Sequence, residues 1–469
     1  MKDNIMKKIF LVILVAFLLG VSCNEQEKKM NKVNFAIISG ELLNDKDKIV
    51  HIYNPNTLIK KEIEVKSDGT FIDTLKNIEP GIYHLYSNRN RVKFYLEKEY
   101  DLNLVADVKN FRNTLHITGK GRLESEYMNK RDSIVNNHFS KKEELFTLNE
   151  DSFKLKLKEL SNDLQINLKK SENLNQSFVE KEKRNINYIF LSNLKKYVRY
   201  HPYYTKNDEF EVSNEFLKDF NDFDYNSVVD FTFAPAYKEI VTDHYMDKAS
   251  EIRKKDSISR NNSLFKSIET IPNQRIKNIL VFESVKQGIS YAKELEDYYQ
   301  KFLKISTNKE NEGEITEMYS KLLKIQKGKT SPKFHNYSDI NGKKVSLDDF
   351  KGKYVYIDVW ATWCGPCIRQ IPFLKELEKK YHNKNVEFVS ISVDEEENYE
   401  KWKKMVKEEE LEGIQLIADN NFESTFIKEY LINGIPRFIL IDPQGKIIDR
   451  DAPRPSNESL IELFEEIGI

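Results

Sequence analysis

Two cysteines three positions apart, Cys364 and Cys367, stand in Trp363-Cys364-Gly365-Pro366-Cys367, directly behind the strand-like run Tyr354 to Val359. That spacing is a redox pair. A thiol at the start of a helix feels the partial positive charge of the unpaired amides there, which favours thiolate over thiol and makes Cys364 the expected nucleophile. Cys367, one turn further in, is the expected resolving thiol and the less exposed of the two. The chain has 3 Cys in all, the third being Cys23, so no thiol remains for a structural disulfide. A structural zinc site would need four ligands, and the sequence offers neither a second CxxC nor a His-x3-5-His nearby. Haem attachment needs His directly after the second Cys, where Ile368 stands. The expectation is no metal, and no cofactor other than the Cys364-Cys367 disulfide itself.

The elements that must position this pair alternate between strand and helix from about Gly328 onward. A strand at Tyr354 to Val359 feeds a helix from Cys364 through Lys380, then a strand at Val386 to Val393 and a helix near Tyr399 to Glu409. Leu416-Ile417, a helix near Phe422 to Tyr430, a hairpin at Phe438 to Ile441 and Ile447-Ile448, and a closing helix at Ser459 to Glu466 complete it. A βαβ start feeding a hairpin gives an α/β fold with a central mixed sheet. Pro436 opens the hairpin strand, a place where proline is tolerated at a sheet edge for ordinary reasons or kept for function.

Ahead of this region, Asn34 to Ile117 is built of short β-branched or alternating runs: Phe35 to Ile38, Ile49 to Tyr53, Glu62 to Val65, Ile82 to Tyr86, Val92 to Leu96 and Leu102 to Val105. Turn chemistry separates them, and the Asp68-Gly69 pair between Val65 and Phe71 is a hairpin signal. An antiparallel β-sandwich over residues 33–121 is the natural packing. From Leu123 the pattern becomes Lys/Glu/Asn-rich with almost no Gly, and Ile186, Phe190, Leu194, Tyr197 and Val198 share a helical face, so residues 122–326 read as α-helical. Pro202, Pro235 and Pro272 punctuate it. The aromatic cluster His201-Pro-Tyr-Tyr204 reads as a packing anchor more readily than as a binding surface, and the charge runs read as solvated helix faces.

With 469 residues, 32% of them charged and a net charge of -1, the chain is a multi-domain protein with no field for nucleic acid. Lys2, Lys7 and Lys8 precede the apolar run Ile9 to Leu19, which has the form of a secretory signal over residues 1–22 and is short for a bilayer span. Gly20-Val21-Ser22-Cys23 resembles a lipoprotein processing box, although Gly20 stands where an aliphatic residue is usual. Cys23 is then the lipidation site, residues 23–32 a tether, and the lipid an N-terminal membrane anchor; an uncleaved anchor or a plain secretory signal are the other readings. An exported chain meets an oxidising compartment, where structural disulfides were open to it and none is built, so the CxxC is there for chemistry.

The stretch Asp358-Val-Trp-Ala-Thr-Trp-Cys-Gly-Pro-Cys367, followed by Gly434-Ile-Pro-Arg-Phe438, resembles the thioredoxin superfamily. More narrowly it is similar to membrane-anchored extracytoplasmic thiol-disulfide oxidoreductases of the TlpA/ResA type, as are Gly328 to Phe334, Ile441 to Lys446 and the extra strand and helix between Cys367 and Pro436. The resemblance covers residues 327–469 and implies a thioredoxin-like fold there. The first region more loosely resembles a small β-domain, of unassigned role, found ahead of such domains in lipoproteins. By resemblance Cys364 attacks the substrate disulfide and Cys367 resolves the mixed disulfide. Asp358 takes the place of a buried carboxylate beneath the thiols, suited to accept the Cys367 proton; a strand-end carboxylate bonded to backbone is the alternative. Pro436 is then a cis-proline facing the CxxC, the Ile435 backbone pairs an extended substrate, and Trp363 with Gly365 and Pro366 forms the contact surface, backed by Trp360. One departure stands out: many such proteins carry an acid three places after the second Cys, where this chain has Gln370, which cannot titrate.

Gly-Pro between the cysteines is the thioredoxin choice, associated with potentials of about -270 mV against about -120 mV for strong oxidants. The resulting expectation is a lipid-anchored disulfide reductase of the cell envelope, facing the periplasm from the inner or outer membrane. It would act on disulfide-containing protein clients and draw electrons from a membrane thiol donor. Disulfide isomerase or oxidase activity is the nearer alternative. A peroxiredoxin-like peroxidase lacks its Pro-x-x-x-Thr-x-x pattern here, and a binding lipoprotein with a vestigial redox domain would not need the intact Cys364, Cys367, Asp358 and Pro436 set.

Overall fold

A computed structural model describes residues 34–45, 48–87 and 90–469, so the leader, Cys23 and the tether lie outside the described residues. The chain divides into two compact units, one up to Ile240 and one from Val241. The division falls inside a helix, and the helices expected over 122–326 are shared between the units. No helix of the described residues is long and apolar enough to cross a membrane.

The described residues of the first unit form eight strands, with alternating burial clearest in β1 and β7: β1 Phe35–Leu43, β2 Ile49–Tyr53, β3 Lys60–Glu64, β4 Thr70–Lys76, β5 Gly81–Ser87, β6 Asn90–Leu96, β7 Asp101–Asp107 and β8 His116–Gly119. They form two four-stranded sheets, ordered β4-β1-β7-β8 and β3-β2-β5-β6. Two features differ from the sequence reading. The Asp68-Gly69 turn closes no hairpin: β3 pairs with β2 while β4 pairs with β1, so the turn carries the chain from one sheet to the other. Turn chemistry is local, whereas partner choice is decided by which face each strand buries. And β1 runs parallel to β7, which the long excursion through β2 to β6 permits.

Three long helices follow, α1 Arg122–His138, α2 Glu150–Lys170 and α3 Gln176–Thr205. Asn149 and Asn175 cap α2 and α3, each side chain accepting from backbone amides of the first turn. Phe153, Leu157, Leu191, Leu194, Tyr197 and Phe216 make their shared core. Pro202 does not end α3 at once but sits inside it, three residues from the close, so the lost ladder bond falls in the last turn and the helix stops soon after.

Helix α4 Pro235–Asp256 leads into the second unit, whose helices α5 Arg260–Glu269, α6 Gln274–Gly288, α7 Leu295–Ile305 and α8 Lys309–Leu323 precede a seven-stranded sheet. Its strands are β9 Tyr337–Asp339, β10 Lys344–Val345, β11 Tyr354–Trp360, β12 Val386–Ser392, β13 Ile414–Ile417, β14 Arg437–Ile441 and β15 Ile447–Asp449, in the order β10-β9-β13-β12-β11-β14-β15. β11, β12 and β13 are parallel, and β14 returns antiparallel beside β11: the mixed sheet read from the sequence. The first helix is broken rather than continuous, as α9 Gly365–Ile368 and α10 Ile371–Tyr381, because Pro372 lacks the amide that would carry the ladder across. Helices α11 Tyr399–Glu408, α12 Thr425–Glu429 and α13 Ser459–Glu466 complete the unit.

Phe464 of α13 is fully buried and meets the rings of Tyr356, Tyr381 and Phe388, tying the closing helix to the sheet and to α10. All 3 Trp of the chain, Trp360, Trp363 and Trp402, lie in this unit, so their fluorescence follows it selectively. Phe464→Ala is expected to destabilise the unit by about 3–5 kcal/mol, read as a lowered urea midpoint in tryptophan emission. A loss under about 1 kcal/mol would mean that α13 lies outside the cooperative core.

Candidate active site

Strand β11 runs through the middle of the sheet and ends at Trp360; the loop Ala361-Thr362-Trp363 then delivers Cys364 to the N-cap of α9. Asp394, buried at the end of β12, fixes that loop. Its carboxylate accepts from the Thr362 amide and hydroxyl, both at 2.8 Å, and from the Ser392 hydroxyl at 2.8 Å. Cys364 and Cys367 are joined in a disulfide, and Cys364 Sγ also accepts from the Cys367 amide at 3.2 Å. In this oxidised form the two sulfurs do not differ in access as expected, being 4% and 3% exposed. What is exposed is their rim: Trp363, with Gly365 and Pro366.

The peptide bond Ile435-Pro436 is cis. Pairing of Val359 with Arg437 sets Pro436 beside the end of β11 from which the Cys364 loop departs. Pro436 is buried and Ile435 half-buried. Arg437, next in the chain, is 1% exposed and clamps this corner to the segment after α6. Its guanidinium donates to Ser290 O at 3.1 Å, Ser290 Oγ at 3.0 Å and Asp451 Oδ1 at 3.3 Å, and lies 3.8 Å over the Tyr291 ring.

Beneath the thiols, a cavity of about 10 Å³ is lined by Asp358, Trp360, Cys367, Glu378 and Gln415, among others. Four atoms of these lining residues, Asp358 Oδ1, Trp360 Nε1, Glu378 Oε1 and Gln415 Oε1, are buried with no hydrogen-bond partner among the described residues. The backbone-bonded alternative for Asp358 finds no support at that oxygen. Burial, and then the neighbouring Glu378 carboxylate, push Asp358 up to about 8. Burial, then Glu412, push Glu378 up to about 7 against the opposing pull of Lys375. Both groups are thus held ready to exchange a proton near neutrality, next to Cys367.

Gln370 is not part of this cavity: its Oε1 accepts from the Ser456 amide at 3.1 Å. Arg369 is exposed, as a solvated helix residue should be. The sequence reading overlooked Glu378, Asp394 and Arg437. Glu378 did leave a signal, since it falls four after Leu374 and three before Tyr381, on the apolar stripe of α10, where an acid has no ordinary reason to be. Arg437 likewise interrupts an otherwise apolar strand. Nothing local marks Asp394, whose partner Thr362 is 32 positions away.

Residues 326–462 match the Redoxin family model. A thiol-disulfide oxidoreductase ResA of Bacillus cereus is 36% identical over 149 residues, 32% of this chain and 83% of that protein. Among solved structures, one from Bacteroides vulgatus is 55% identical, covering 29% of this chain and 86% of its own, with a TM-score of 0.27. A thiol-disulfide oxidoreductase from Bacteroides fragilis is 32% identical, covering 30% and 99%, also with a TM-score of 0.27.

The two raised carboxyls fix the sign of one pH effect. The folded protein keeps protons that the unfolded chain releases from about pH 4 upward, so these groups make stability fall as pH rises from about 4 to about 8. With the disulfide intact, Asp358→Asn is expected to unfold at higher urea than the parent at pH 8, and at the same urea near pH 3.5. An Asp358→Asn curve parallel to the parent's across that range would show that Asp358 ionises normally.

Proposed function

The chain belongs to the ResA/TlpA-like thiol-disulfide oxidoreductases of the thioredoxin superfamily, and from that premise we propose that it reduces protein disulfides at the cell envelope through Cys364 and Cys367. The observation that carries the reading is the buried, unpartnered Asp358 sharing a cavity with Cys367. Such a group serves the second half of a reduction, in which the inner thiol must lose its proton to attack.

In the reduced protein the Cys364 thiolate attacks one sulfur of the client disulfide, forming a mixed disulfide and expelling the other client sulfur as thiolate. Cys367 then passes its proton to the Asp358 carboxylate and attacks Cys364 Sγ. The Cys364-Cys367 disulfide forms, the second client sulfur leaves, and two electrons have moved to the client. Glu378 takes the Asp358 proton onward, replacing the acid that Gln370 does not supply. The exposed Trp363, Gly365 and Pro366 receive the client's apolar side chains, while an extended client segment pairs with the Ile435 backbone beside Pro436. A thiol donor of the membrane returns the electrons. The basic and apolar leader ending at Cys23 supports a lipid-anchored, periplasm-facing position, with the β-strand and helical regions shaping which clients arrive.

The reduction potential of the Cys364/Cys367 pair, measured on the leaderless protein in glutathione or dithiothreitol buffers, tests the direction of flow. A value near or below about -250 mV is expected; one above about -180 mV would assign oxidase or isomerase chemistry instead. Asp358→Asn is expected to slow release of the mixed disulfide about 100-fold or more at pH 7 while leaving the first attack near the parent rate. Cys367→Ala should accumulate the mixed disulfide outright. Equal slowing of both half-reactions in Asp358→Asn would remove Asp358 from the proton path.

A further inference from the structure

In the first unit the period of β6 turns Arg91, Lys93 and Tyr95 to one face, opposite Tyr86, His84 and Ile82 of β5. Helices cover this face. At the Tyr95 end the cover is tight, with Phe178 and Phe233 edge-on to the Tyr95 ring at 4.9 and 6.2 Å. At the cationic end the helices stand off and leave a cavity of about 740 Å³, within the range that holds small organic ligands.

We propose that this cavity binds a small organic anion, a carboxylate or phosphate carried on an apolar body. Its lining sets five cations, Arg91, Lys93, Arg131, Lys142 and Lys196, against two carboxylates, Asp132 and Glu239. The acids do not neutralise the set. Lys196 pairs with Glu239 at 2.9 Å, while Arg131 and Lys93 share Asp132, and Arg131 also reaches Glu182 at 3.0 Å behind the wall. His84 adds no charge: it accepts from Arg91 Nε at 3.0 Å, and burial, then Arg91 and Lys93, hold it down to about 4. Lys93 is itself pressed down to about 7 by burial, then by Arg131 and Arg91, with Glu182 opposing. Burial is the larger cause and the two guanidiniums the second, so the lining carries more positive than negative groups, an imbalance that an entering anion relieves.

A second feature points the same way. Asn185, 2% exposed, lines the cavity; its amide nitrogen donates to Glu182 at 3.0 Å, and its Oδ1 has no partner among the described residues. A buried acceptor left unmatched is unfavourable, and a ligand hydroxyl or N–H would satisfy it. The same lining includes Val135, Phe139, Tyr200 and Tyr204, apolar and aromatic surface supplied in part by the His201-Pro-Tyr-Tyr204 motif. Acid, adjacent donor and apolar body together describe an N-acyl amino acid, a hydroxy acid or a phosphate monoester, and not a long polyanion.

The test is calorimetric titration of the leaderless full chain, disulfide intact, with N-acetyl-L-phenylalanine, phenyl phosphate and, as the uncharged match, N-acetyl-L-phenylalanine amide. One or both anions are expected to saturate at millimolar affinity or better, with the amide weaker by at least about tenfold. The tighter of the two anions identifies the acid as carboxylate or phosphate. Lys93→Met with Arg91→Gln should weaken the anion at least about tenfold, and Asn185→Leu should weaken it while leaving the urea midpoint unchanged or raised. Lys142→Glu, at an exposed rim position that folding does not need, should weaken it too and guards against a misfolded double variant. Absence of saturable binding by either anion to about 10 mM, equal affinity for the amide, or full affinity in Lys142→Glu together with folded Lys93→Met/Arg91→Gln would overturn the proposal.

Discussion

The chemistry proposed for the second unit depends on keeping one carboxylate out of water. Asp358 sits on the central strand, where Trp360 and the apolar face of α10 exclude solvent, and exclusion lifts its proton affinity into the range where sulfur chemistry can use it. The other devices at this end of the sheet protect or exploit that burial. The Asp394 bonds hold the loop that leads from β11 to Cys364, Pro436 sits beside the end of that strand, and α10 contributes Glu378, whose charge raises Asp358 further. An unpaired buried carboxyl is ordinarily a defect; on the proposed mechanism, next to a thiol that must ionise, it is a working part.

How much of this could be read in the chain depends on the distance over which each feature is decided. Cys364, Cys367 and the helix start behind them are a local pattern, as are the strand runs of the first unit and the alternation of the second. Pro436 is too, once the resemblance supplies its meaning. Strand partners are not local. The Asp68-Gly69 turn looks the same whether it folds back or crosses between sheets, and only the burial of β3 and β4 against different neighbours decides it. The break between α9 and α10 was legible in Pro372 and was passed over because the apolar stripe runs on through it. Asp394 and Thr362 meet only after β12 has lined up beside β11.

The helices ahead of the sheet are more than a spacer. The Redoxin match begins at residue 326, yet Ser290 and Tyr291, well before it, hold the guanidinium that follows the cis-proline. Arg450 donates to the Ala292 carbonyl at 2.6 Å, so a second strand end is tied to the same segment. The second unit therefore has to be understood from Val241 onward. A cut at the family boundary would take the Ser290 and Tyr291 contacts from a buried cation and leave it Asp451 alone.

Arg437 and the pair Asp358 and Glu378 serve this end of the sheet in different ways. The guanidinium is gripped chiefly by uncharged groups, the Ser290 carbonyl and hydroxyl and the face of Tyr291, with Asp451 beside them. The two carboxyls change their proton content close to neutrality. On the proposed mechanism, the corner beside the cis-proline is held by contacts to the Ser290–Tyr291 segment while the proton store beneath it fills and empties. Acidity would then act on the release step more than on the surface that receives the client.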